Sequence, residues 1–161
     1  YAGAVLTASN SATTNGSMTS DASPSALFRN YYEWSSTQAS LQDYTIAVSV
    51  LLPNDFSAWA TNAITIDFNT ATTNALQNKF DLLIFNQADV RPTTPVVMRT
   101  ANKSAVAKTW ETLTIPASAL TTGTATWQTA GHNAVLYVKM YAVSPGYIQV
   151  GNINLNYLSK F

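Results

Sequence analysis

The chain has 161 residues, of which 47% are hydrophobic and only 10% charged, well under the roughly 25% of an average soluble domain. Eight basic and eight acidic residues cancel to a net charge of zero, which removes the long-range field that gathers nucleic acid or anionic lipid, so neither is expected as a partner. Cysteine is absent, which excludes disulfides and thiolate metal sites, and no apolar run approaches the ~18 residues of a membrane-spanning helix.

The length is that of one domain, taken as residues 1–161. A first residue of Tyr1 rather than methionine predicts that the chain is part of something longer. Along the chain, hydrophobic period two dominates. A short strand is predicted in "GAVLTA", followed by a turn-rich stretch, "NGSMTSDASPS". "LFRNYYEWSS" then concentrates aromatic residues. Alternation puts Phe28, Tyr32 and Trp34 on an inward face and leaves Arg29, Tyr31 and Glu33 outward. Only Tyr31 of this aromatic group then remains available to a partner.

"QDYTIAVSVLL" alternates cleanly, with Tyr44, Ile46, Val48, Val50 and Leu52 apolar and the residues between them small or polar. This is the pattern of a half-buried antiparallel strand. "NDFSAWA" carries a modest helical signal, with Asn54 or Asp55 placed to cap one turn. "NAITIDFN" repeats the strand pattern through Ile64, Ile66 and Phe68. "KFDLLIFN" puts Phe80, Leu82 and Ile84 on one face but leaves Leu83 and Phe85 on the other. Shorter strands are predicted in "PVVMRT" and "TWETLTI", and a short turn in "PASAL".

"AVLYVKMY" turns Leu136, Val138 and Met140 inward and Tyr137, Lys139 and Tyr141 outward. The last run, "YIQVGNINLNYL", changes parity between Val150 and Ile153. A slip of one residue at Gly151–Asn152 keeps both apolar sets inward, which predicts a β-bulge. Eight or nine strands without a long helix predict an all-β fold, a two-sheet antiparallel sandwich of jelly-roll type. The predicted core holds Trp34, Tyr44, Ile46, Val48, Ile64, Ile66, Phe68, Leu82, Ile84, Leu136, Val138 and Leu155.

No residue pattern specifies a reaction. His132 is the single histidine, no Gly-x-Ser-x-Gly elbow exists, and the acids are scattered at strand ends and outward positions. The chain is therefore expected to be no enzyme and to carry no cofactor. A jelly roll has room for a structural calcium held by distant carboxylates and carbonyls, but the sequence selects no ligands for one.

A resemblance adds to this reading. "RNYYEWSS", "LQDYTIAV", "LPNDFSAWA" and the closing "LNYLSKF", within a likeness spanning nearly the whole chain, resemble the C-terminal module of long tail-fibre-like surface proteins of uncultured small-genome bacteria. This resemblance implies an extracellular or cell- or virion-surface module, at the tip of a fibrous protein, that serves attachment or assembly. It implies no catalytic residues. At fold level, "TWETLTIPASAL" and the strands after it are also similar to jelly-roll carbohydrate-binding modules.

Two functions follow as expectations. The first is a structural and adhesive module that self-associates, with a trimer as the first expectation. The alternative is a carbohydrate-binding module recognising a surface glycan. The candidate contact residues are Tyr31, Leu83, Phe85, Tyr137, Lys139 and Tyr141, because outward positions of a lone sandwich should be polar and the apolar and aromatic ones here are not, while tyrosine with Lys139 suits a partly wet contact.

Overall fold

In the computed structural model, residues 5–8, 16–22, 30–87 and 94–160 are described. They form β1 (Val5–Ala8), β2 (Gly16–Ala22), β3 (Asn30–Ser36), β4 (Gln42–Leu51), β5 (Phe56–Thr70), β6 (Asn78–Asn86), β7 (Val97–Asn102), β8 (Glu111–Pro116), the short helix α1 (Ser118–Thr121), β9 (Asn133–Ala142) and β10 (Tyr147–Ser159). The strands make two antiparallel five-stranded sheets, ordered β1-β4-β9-β6-β7 and β2-β3-β10-β5-β8. Most successive strands change sheet, so neither sheet forms from one stretch of chain. The result is the jelly-roll sandwich that the alternation predicts.

The core lies between the inner faces. Trp34, Ile46, Ile64, Ile66, Phe68, Leu82, Ile84, Leu136 and Val138 are buried as expected, while Tyr44, Val48 and Leu155 are partly buried against them. The predicted bulge is present. Val150 pairs with Phe68 and Ile153 with Ile66, so β10 carries one extra residue at Gly151–Asn152. That residue lets Ile148, Val150 and Ile153 all face inward despite their change of parity.

Three expectations need correction. Gly16–Ala22 is a strand paired with β3, not a turn. Its one described large apolar residue, Met18, packs against the core, which is too little for a period to show. "NDFSAWA" is not helical, because β5 starts at Phe56. Tyr32 shares the inward phase of Trp34 but remains 38% exposed. It borders a cleft of about 510 Å³ between the sheets, lined by Ile46, Val48, Leu136 and Val150 among others. Phe28 and Arg29 lie outside the described residues.

Candidate functional site

The outward residues of β9 alternate with its core residues, and the register of its neighbours builds a surface around them. Tyr137 pairs with Ala47 on β4 and Leu83 on β6, and Leu83 pairs with the exposed Met98 on β7. Phe85 meets Tyr137 edge to face, with ring centroids 5.8 Å apart. Lys139 Nζ lies 3.0 Å from Asp43 Oδ2, and the ammonium is held above its ordinary pKa, first by this contact. Lys79 and Lys139 both stand over the ring of Tyr141, at 4.8 Å and 5.2 Å from its centroid. Burial and then Asp81 push the Tyr141 phenol up. Leu83, Phe85, Tyr137, Lys139 and Tyr141 thus share the outer face of the first sheet, and Tyr31 does not join them.

Tyr31 stands on the outer face of the second sheet, and its ring lies 5.8 Å from that of Trp110. Trp110 comes one residue before β8, at the sheet edge, yet reaches inward over the sheet to Gly151 on β10. A Cβ added at Gly151 would sit 3.2 Å from the Trp110 ring and 3.5 Å from the Asp67 side chain. The bulge glycine therefore leaves the space in which the indole lies.

Polar groups flank the two rings. The Thr112 hydroxyl donates to Asp67 Oδ1 at 2.7 Å. On the next rung, Gln149 Nε2 donates to Glu33 Oε2 at 2.6 Å, and Asn69 Nδ2 donates to Gln149 Oε1 at 3.1 Å. Asn154 Nδ2 donates to Thr65 Oγ1 at 3.3 Å farther along. These bonds link four neighbouring strands, β3, β10, β5 and β8, and fix the side chains in place. The surface is a pair of half-buried aromatic rings beside a row of oriented amides, hydroxyls and carboxylates, which suits a neutral polyhydroxylated ligand. Sequence reasoning supplied Tyr31 and missed Trp110, whose partner comes from a distant strand.

His132 lies in the loop before β9, where its backbone carbonyl accepts from Trp127 Nε1 at 3.1 Å. Among the described residues no group of three or more His, Asp or Glu comes together as a metal would require. No helix there is long and apolar enough to cross a membrane.

No protein-family pattern matches the sequence, and no curated protein matches it. Solved structures do match. In fold, the chain resembles jelly-roll carbohydrate-binding modules. It aligns over 98% of its length with 90% of TmCBM61, solved in complex with β-1,4-galactotriose, at 8% identity and a TM-score of 0.51. It aligns with 57% of a structure from the β-sandwich superfamily of carbohydrate-binding modules with promiscuous specificity, at 10% identity and a TM-score of 0.53. A third likeness is to the enzymatically active domain of tailspike protein 4 from bacteriophage CBA120, at 11% identity and a TM-score of 0.53, where the chain spans 20% of that solved chain. At such identities the jelly roll is what is shared, and no site residue carries over.

Proposed function

We propose that this domain is a non-catalytic carbohydrate-binding module of an extracellular or surface protein, and that it holds a neutral glycan against the outer face of the second sheet. The observation that carries this reading is the Tyr31–Trp110 pair over Gly151, flanked by Asp67–Thr112 and by the Glu33–Gln149–Asn69 ladder. Sugar rings present C–H faces that pack on aromatic rings, and hydroxyls that exchange hydrogen bonds with amides and carboxylates. The jelly-roll likeness supports the reading. One similar fold binds β-1,4-galactotriose, so β-1,4-galactan is the first ligand to test.

Isothermal titration with β-1,4-galactan and a panel of neutral oligosaccharides should detect binding. Tyr31→Ala and Trp110→Ala should each weaken it by roughly tenfold or more, as truncation of an aromatic anchor does. Full affinity in both variants, or no binding to any member of the panel by wild type, would overturn the proposal.

A second reading has its own observation. The outer face of the first sheet carries Met98, Leu83, Phe85, Tyr137 and Tyr141, an aromatic and aliphatic surface suited to assembly. Here the domain would be a structural and adhesive module of a fibre-like protein, self-associating as a trimer, and both roles fit one molecule.

A further inference from the structure

One end of the sandwich holds a pocket of about 450 Å³ that the outer-face site does not use. Three connections converge on it: the β5–β6 turn, the β7–β8 loop and the β9–β10 turn. Their backbones are tied together beneath it. Ala71 N–H donates to the Tyr147 carbonyl at 3.1 Å, Val143 N–H to that of Gln77 at 3.0 Å, and Lys108 N–H to that of Thr70 at 2.8 Å. Lys108 is held at a φ of 58°, a conformation uncommon in non-glycine residues. The walls are therefore a fixed frame, and a ligand would find them already placed.

Polar side chains without partners gather on that frame. Among the described residues, the Gln77 amide, the Lys108 ammonium and the Ser144 and Tyr147 hydroxyls make no side-chain hydrogen bond or ion pair, and all four residues line the pocket. Asn78 lies in the same wall, fully buried. Its Oδ1 accepts from the Thr72 hydroxyl at 3.2 Å, but its Nδ2 has no partner among the described residues. A side chain on Gly146 would drive its Cβ into that amide, so the glycine allows the close packing of the wall. Burial, and then Glu33, push the Tyr147 phenol up.

The inventory favours acceptors in the ligand and offers one positive charge, Lys108, set against the Glu33 carboxylate that acts on Tyr147. Phosphate, with nearly two negative charges at neutral pH, would call for a second cation. A single carboxylate matches. Apolar groups of Ala71, Val143 and Pro145 complete the lining and suit the C–H face of a pyranose ring.

We propose that this pocket is a second saccharide site, selective for a sugar that bears one carboxylate, a uronic acid residue. Lys108 pairs with the carboxylate, and Gln77, Ser144 and Tyr147 bond the ring hydroxyls. The proposal rests on the carbohydrate-binding reading of the domain but uses none of the residues of the outer-face site.

Backbone amide NMR of the isotopically labelled chain, titrated with digalacturonate and separately with neutral β-1,4-galactobiose, tests it. Digalacturonate should shift the Gln77, Lys108 and Gly146 signals, equally in wild type and in Tyr31→Ala. Lys108→Met should weaken this binding by tenfold or more, with Tyr147→Phe as a second, gentler variant that should also weaken it. Unshifted pocket signals in folded wild type, equal affinity for the neutral disaccharide at the pocket, or unchanged affinity in both variants would overturn the proposal. The two sites fail separately. Neutral sugar confined to Tyr31 and Trp110, without pocket shifts, removes the pocket alone. Digalacturonate at the pocket, without any neutral binding at the outer face, removes the outer-face site alone.

Discussion

Lys139 sits between the Asp43 carboxylate and the ring of Tyr141. Its proton is held by Asp43, and that of Tyr141 by burial and by Asp81. Both pKa values are raised in the folded chain, so near the ordinary values, about 10, the folded state keeps protons that the unfolded state loses. Their contribution to stability is therefore complete below about pH 10 and is lost as pH rises through the folded values. The melting temperature should stay level at mildly alkaline pH and fall beyond about pH 10. Lys139→Met combined with Tyr141→Phe should flatten that fall. Melting curves from pH 8 to 11 that run parallel in wild type and variant would show that these residues do not contribute to it.

At the scale of the strands, β5 decides whether the two sheets meet. Its Ile64, Ile66 and Phe68 are buried, while Thr65 faces outward beside Asn154. Ile66→Asp would bury a carboxylate without a partner, at several kcal/mol by transfer estimates, a large share of the ~5–15 kcal/mol stability of a domain. It should abolish folding. Thr65→Asp should leave the fold intact, since Asn154 can donate to the new carboxylate. A soluble, cooperatively melting Ile66→Asp variant would refute this placement of the strand. Where strands alternate without interruption, as in β4, β9 and the second half of β5, the period was legible in the amino-acid order. It failed at the start of β5, where a register shift against β10 spaces the buried Phe56 and Trp59 three residues apart, the interval of a helix. The same kind of irregularity was readable in β10, because five apolar residues bracket the slip. Trp110 was not legible as part of a site. Its role depends on crossing the sheet to Gly151 and Tyr31, and nothing local in "TWET" encodes that path.

On the whole molecule, the two outer faces differ in kind. The second sheet links its polar side chains by bonds across strands, with Asn69 Oδ1 left unpartnered among the described residues. The first sheet presents Tyr137 at 38% exposed and Met98 at 58%, with Leu83 and Phe85 half-buried beside them. Gly16–Ala22 does not cover this row, because it pairs with β3 in the opposite sheet. Soluble monomers rarely expose large apolar patches, and with zero net charge no general repulsion keeps copies apart. Asp43 and Lys139 already pair within the chain, so a contact through this face would strand neither charge. Copies that turn this face to a common axis close into a symmetric oligomer, and the fibre resemblance makes a trimer the first expectation. Sedimentation equilibrium at increasing concentration should show association in wild type, and Tyr137→Ser with Tyr141→Ser should give a folded monomer. That variant should bind neutral glycan as wild type does, because the Tyr31–Trp110 pair lies on the opposite face. Wild type that stays monomeric at the highest concentration would remove the assembly reading, and loss of sugar binding in the variant would move the glycan site to the first sheet.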